Sequence, residues 1–367
     1  MTRPAENGAF QFERIPIPHD FDVCWAGPNP IVENGLCFGF TDGKVLFADA
    51  LGRPLWPLGP GSDSGEAING VARAGTWLGV STREDVNLLP LPGTPGGFDY
   101  HATIPFGAHG ITTTADGYFI APLGRNGIMA VQPPTDRKAI PQAYSAQEPG
   151  IYAYRLIILH PKAGSEVIAC ATRLGGIAVG EFVGGKEKLN LKRATVPGLD
   201  VVDICPLEPG TESLAVAALG RDGSVALFQD VLHGKKSKTT KFRSVQGTAY
   251  SIFSSHGDIH ILTSKGLYVL GELAGRFLRN ELVSGITTPV RVSPMGAVDA
   301  NLVYNRWLLI VIPGAVLRLD LEAVHREVLD HLGDAEIQES QAADGGAVDW
   351  EWREIETASK ELALAEK

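Results

Sequence analysis

Leu199–Gly247 reads LDVVDICPLEPGTESLAVAALGRDGSVALFQDVLHGKKSKTTKFRSVQG, and the fold turns on how its apolar runs are cut. Val201–Leu207 stops at Glu208-Pro209-Gly210. Leu214–Leu219 stops at Asp222-Gly223. Val225–Phe228 leads through a basic loop to a fourth run around Phe242–Val245. This spacing predicts four short strands joined by hairpins, with Gly and Asp supplying the left-handed backbone that tight turns require. A single four-stranded meander buries too little apolar surface to stand alone in water, so the stretch needs neighbours of its own kind.

The chain supplies them. Units that begin at Asp22, Asn69, His109, Arg155, Asp203, Tyr250 and Arg291 follow one another at 40 to 48 residues. A second landmark runs in phase with the first. A glycine opens the third strand of six units, at Gly43, Gly127, Gly176, Gly223, Gly266 and Gly314, while the second unit has Glu84-Asp85-Val86 in that place. Many first hairpins also carry a turn glycine, as in Asn34-Gly35, Asp116-Gly117 and His256-Gly257. Two landmarks recurring in step are the mark of a repeat architecture. Together they resemble an all-β, seven-bladed β-propeller of four-stranded antiparallel blades, over roughly Phe10–Asp320. The Gly-His and Trp-Asp signatures of WD40 repeats are absent, so the likeness is to that architecture and to no one family.

An open ring of sheets would expose two edges and therefore needs a closing device. The last unit has strands expected around Val290–Ser293, Trp307–Ile312 and Val316–Asp320, followed by a helix-like spacing over Leu321–Leu332. Phe10–Ile15 alternates with period two ahead of the first unit, which makes residues 10–17 the expected outer strand of the last blade. The propeller is thus expected over residues 1–333. Residues 334–367 read as an acidic linker and tail with ten acidic and three basic residues, so most of the net charge of -10 sits there. Trp350 and Trp352 stand out in this polar tail, either folded back on the propeller or docking to a partner.

Composition narrows the class. The chain has 367 residues, 43 glycines and 3 methionines, a bias toward turns and strands. Its N-terminus is polar, and no apolar run is long enough to span a bilayer. The expectation is a cytoplasmic, soluble monomer with no membrane contact. The four cysteines lie in apolar runs without a CxxC pair, which reads as free buried thiols in a reducing compartment.

No HExxH, GxSxG, P-loop or EF-hand pattern occurs. The constellation left is the ring of unit starts, Asp22, Asn69, His109, Arg155, Asp203, Tyr250 and Arg291, which a propeller would bring to one mouth of its channel. Polar residues there are expected simply because water fills a channel. Oxygens of Asp22, Asn69 and Asp203 with His109 could instead hold a divalent cation such as calcium, an arrangement similar to that of propeller lactonases. Arg155 and Arg291 would repel a metal and favour an anion. Arg73, Arg125 and Arg173 near turns could also reach a ligand. A basic sector on the rim comprises Lys186, Lys188, Lys192, Arg193, Lys235, Lys236, Lys238, Lys241 and Arg243. It reads as a solvated loop, as a dock for an acidic protein or for the acidic tail, or as a nucleic-acid surface, although aromatic residues among these cations are few.

The function expected from this reading is a non-catalytic scaffold or accessory subunit without a cofactor, whose partner is another protein. The alternatives are a propeller hydrolase or lactonase with a channel-mouth metal, and a nucleic-acid-associated subunit using the basic rim.

Overall fold

Ala217 and Ala218 are consecutive, both fully buried, and belong to different cores. Val216 and Ala218 pack with Val167, Ala169 and Val179. Ala217 and Leu219 pack with Ile252, Ile259 and Ile261. Successive side chains of a strand point to opposite faces. A run that is apolar without alternation is therefore what a strand needs when its sheet is covered on both sides.

The computed structural model describes residues 13–17, 22–57, 59–62, 64–91, 102–134, 140–146, 153–160, 165–172, 176–183, 191–194, 199–207, 214–228, 231, 239–242, 247–263, 266–271, 277–280, 300–312 and 315–326. Among these the strands pair into four-stranded antiparallel sheets, seven in number. The opening stretch forms one of them, through Val201–Leu207, Ala215–Gly220, Val225–Phe228 and Thr239–Phe242. The fourth strand includes Thr239–Phe242, with Phe242 opposite Val225 and Thr239 opposite Phe228, while residues 243–246 lie outside the described residues. Backbone pairing with the third strand sets that register, and backbone hydrogen bonds take no account of side-chain polarity.

The first six sheets are simple meanders whose inner strands are Val23–Pro28, Gly70–Ala74, Thr112–Thr113, Ala153–Leu159, Val201–Leu207 and Ala249–Ser255. The last sheet runs Ala300–Val303, Trp307–Ile312, Ala315–Asp320 and then Glu13–Ile15, with Arg14 opposite Leu317. Its inner strand corrects the sequence reading, because Ala300–Val303 takes the place expected for Val290–Ser293. Residues 290–293, Arg291 included, lie outside the described residues. The cause is a tight turn: Tyr304 and Asn305 both have positive φ, and the Arg306 amide donates to the Val303 carbonyl. The strand that pairs with Trp307–Ile312 must therefore end at Val303.

Seven apolar clusters each join two sheets. Six of them join sheets that follow one another in sequence. The remaining cluster packs Ile15, Leu309, Val311 and Val316 of the last sheet against Leu36, Phe38, Phe40 and Leu46 of the first. Arg318 reinforces the pairing of Glu13–Ile15. Its Nε donates to Glu13 at 3.1 Å, its guanidinium stacks 4.5 Å from the Trp307 ring centre, and Nη1 donates to the Ala50 carbonyl. Residues 321–326 form a short helix that buries Leu321 and Val324 between the sixth and last sheets; the rest of the helical spacing lies outside the described residues.

The turn of the second sheet shows how a glycine is replaced. Thr82 Oγ1 donates to Asp85 Oδ1 at 2.6 Å and accepts from the amides of Glu84 and Asp85 at 3.1 and 3.0 Å. These bonds fix a turn that the other units obtain from positive-φ glycines such as Gly43, Gly127 and Gly223. All four cysteines are buried and none forms a disulfide; burial alone pushes the Cys37 thiol well up.

Candidate functional site

The inner strands of the first, fourth, fifth and sixth sheets each carry a register shift near their start, at Val23/Trp25, Ala153/Leu156, Val201/Asp203 and Ala249/Ser251. An extra residue at such a point bends the strand and re-aims the side chains beside it. Three of the expected site residues, Arg155, Asp203 and Tyr250, lie at these points.

Asp203 is buried, and three consecutive sheets meet on it. Oδ1 accepts the Ile204 amide at 2.9 Å, Oδ2 accepts the Ile252 amide at 3.0 Å and the Ser251 hydroxyl, and the Arg155 Nε stands 3.6 Å from Oδ1. Burial pushes its carboxyl up, while Arg155 and the hydrogen bonds pull it back toward the charged form. A carboxylate so engaged ties the inner strands of the fourth, fifth and sixth sheets together.

The other expected ring members stand at different levels. Asp22 precedes its strand and is exposed. Asn69 also precedes its strand and donates from Nδ2 to the Ala108 carbonyl at 2.9 Å, linking the second and third sheets. His109 lies ahead of Thr112–Thr113, edge-on to the Tyr154 ring at 5.4 Å. Burial lowers the His109 pKa, and the charges of Arg83 and Arg155 lower it further. Tyr250 is buried in the core between the sixth and last sheets. Among the described residues no three His, Cys, Asp or Glu side chains come together in a metal-binding group. Of the residues expected to share a calcium, Asn69 and Asp203 are engaged by separate partners, the Ala108 carbonyl for one and the Ser251, Ile204 and Ile252 donors for the other.

Of the basic rim, Lys192 and Arg193 fall in Lys192–Ala194 and Lys241 in Thr239–Phe242, the outer strands of two successive sheets. Lys186, Lys188, Lys235, Lys236, Lys238 and Arg243 lie outside the described residues, as do Trp350 and Trp352.

The inner strands of the first four sheets, with Asn301 of the last, enclose a cavity of about 440 Å³. It gathers Asn69, His109 and Arg155 from the expected ring and adds Arg73, with no aspartate or glutamate among the described residues of its lining. Arg73 donates to the carbonyls of Gly75 and Pro30, at 2.9 and 3.4 Å. Sequence reading missed Asn301, whose Nδ2 donates to the Ala26 carbonyl at 2.8 Å and so joins the last sheet to the first. It also missed Arg83, which acts on His109 from a turn. Neither belongs to a motif; a correct start for the last unit would have found Asn301.

Against known proteins, no family model matches the chain, and no curated protein matches it. Solved structures do match at the level of fold. The β-propeller domain of Cps50 (Swd1) from Myceliophteria thermophila superposes with a TM-score of 0.58 at 13% identity, covering 84% of this chain and 99% of that one. The propeller of Dos1 gives 0.58 at 9% identity over 85% and 94%. The WD40 β-propeller domain of Doa1 gives 0.56 at 14% over 84% and 96%. The fold of this chain is a WD40-like β-propeller, and no helix among its described residues is long and apolar enough to cross a membrane.

Proposed function

We propose that this chain is a non-catalytic protein-interaction platform: a seven-bladed ring closed by its N-terminal strand, which presents one face to a protein partner. Closure is supported by the cyclic succession of apolar clusters and by Glu13–Ile15 pairing with Ala315–Asp320. A closed ring leaves only short outer edges and covers the faces of every sheet, so its loops are free to specialise in contact.

The observation that carries the functional reading is where large apolar side chains remain exposed. In a meander, the loops joining first to second and third to fourth strands emerge at the same end. Leu51, Leu55, Ile140 and Tyr304 all lie in such loops and are 53, 42, 86 and 38% exposed. Among the described residues, Phe106 alone of the exposed large apolar side chains lies in a loop of the other end. Apolar side chains held in water on one face of a rigid body favour a docking role.

The test is cross-linking and co-elution of the tagged full chain from its native cells, compared with a Leu51→Glu/Ile140→Glu variant. The reading predicts a stoichiometric protein partner that the double variant loses, at least tenfold in recovery, with an unchanged melt. A partner retained by the variant would contradict this choice of face. Metal-dependent turnover of lactones or esters by the purified chain would contradict the non-catalytic reading.

A further inference from the structure

We propose that the cavity between the inner strands binds a small organic molecule through an oxyanion, a carboxylate or phosphate group, with Arg155 and His109 as its contacts. Among the described residues, the charged side chains that line the space are Arg73 and Arg155, and both are cations. Asp203 faces Arg155 at 3.6 Å, which is an electrostatic contact and too long for a hydrogen bond. Its oxygens are already engaged by Ser251 and by the amides of Ile204 and Ile252. Asp203 is paired with Arg155 and lies outside the lining. A planar guanidinium presents paired donors that match a carboxylate or phosphate.

A second observation agrees. Burial lowers the proton affinity of His109, and the charges of Arg83 and Arg155 beside it lower it further. An anion entering there is attracted by those charges and in turn favours the imidazolium. Trp25 and Ile111 supply apolar wall beside the cations, so the ligand class is an organic acid or phosphate ester. A space of about 440 Å³ lies within the usual range for small-molecule clefts.

The experiment uses the full chain labelled with [13Cε1]histidine, with the His109 resonance assigned from a His109→Gln variant. Citrate and inorganic pyrophosphate are the probes at constant ionic strength, with glucose and calcium chloride as neutral and cationic comparators. The proposal expects saturable movement of the His109 resonance with either anion, and a titration midpoint raised by about half a unit or more. Arg155→Gln should weaken the response at least tenfold, and Arg73→Gln severalfold. If loss of Arg155 unfolds the chain by stranding Asp203, Arg155→Gln/Asp203→Asn removes both charges and carries the same expectation. A His109 resonance that stays still up to about 10 mM of both anions would overturn the proposal. So would an unchanged anion response in folded Arg155 variants, or a response to calcium in place of the anions.

Discussion

His260 is fully buried in the second strand of the sixth sheet, and among the described residues neither ring nitrogen has a well-formed hydrogen-bond partner. Burial, aided by the neighbouring His256 and His325, lowers its pKa from the ordinary 6.5 to about 4. Around it, Ser255 Oγ and His256 Nδ1 are 2.8 Å apart, His325 Nδ1 and Asp258 Oδ2 are 2.6 Å apart, and the rings of His256 and His325 stack at 5.6 Å. The sign of the linkage follows from the depressed value. Below pH 6.5 the unfolded chain takes up a proton at this histidine and the folded chain does not, so stability falls as pH drops from 6.5 toward 4. The loss from His260 alone is roughly 3 kcal/mol across that window. Asp203, raised by burial, acts in the opposite sense at the acid end. Urea melts at pH 7 and pH 5 should show the decline, and His260→Phe should flatten it; an equal decline in His260→Phe would exclude this residue as the cause. None of this was legible in the sequence, where His256 stands out only beside a turn glycine and His260 belongs to no motif. Asp203 and Arg155 were read as two points of one ring. Their pairing depends on bulges, which a spacing of apolar residues does not reveal.

At the scale of elements, what could be read in advance was what turns demand locally. Gly117 has φ of +82° and a Cβ there would meet nothing within 4 Å, so its cost is conformational only. Gly107 is the opposite case: a Cβ there would lie 1.6 Å from the Arg83 carbonyl oxygen. Gly117→Ala should therefore cost about 1 kcal/mol, from the left-handed backbone alone. Gly107→Ala must displace the 82–85 turn and should cost about 3 kcal/mol or more. Equilibrium unfolding of the two variants checks the order, and a Gly107→Ala cost equal to or below that of Gly117→Ala would contradict it. Elements governed by long-range pairing were less legible. The inner strand of the last sheet is set by the Tyr304-Asn305 turn, which contains no glycine and so leaves no mark in the glycine pattern. The register of Thr239–Phe242 is set by its neighbour Val225–Phe228.

At the scale of the molecule, a meander too small to stand alone already implied neighbouring sheets, and the repeat already implied a series of them. Each cluster between sheets draws on residues from two units, so no unit completes a core alone. The account stands or falls on the join between first and last sheets, where chain segments some 300 residues apart must pair. There Ile15 is buried against the first sheet's core, and Arg318 holds Glu13. Removing Glu13–Ile15 would open Ala315–Asp320 as a bare edge and uncover that cluster. The decisive measurement is thermal unfolding of the full chain beside a chain lacking residues 1–17. The account predicts a melting temperature lower by about 10 °C, or loss of soluble protein, for the shortened chain. An unchanged, cooperative melt would contradict it.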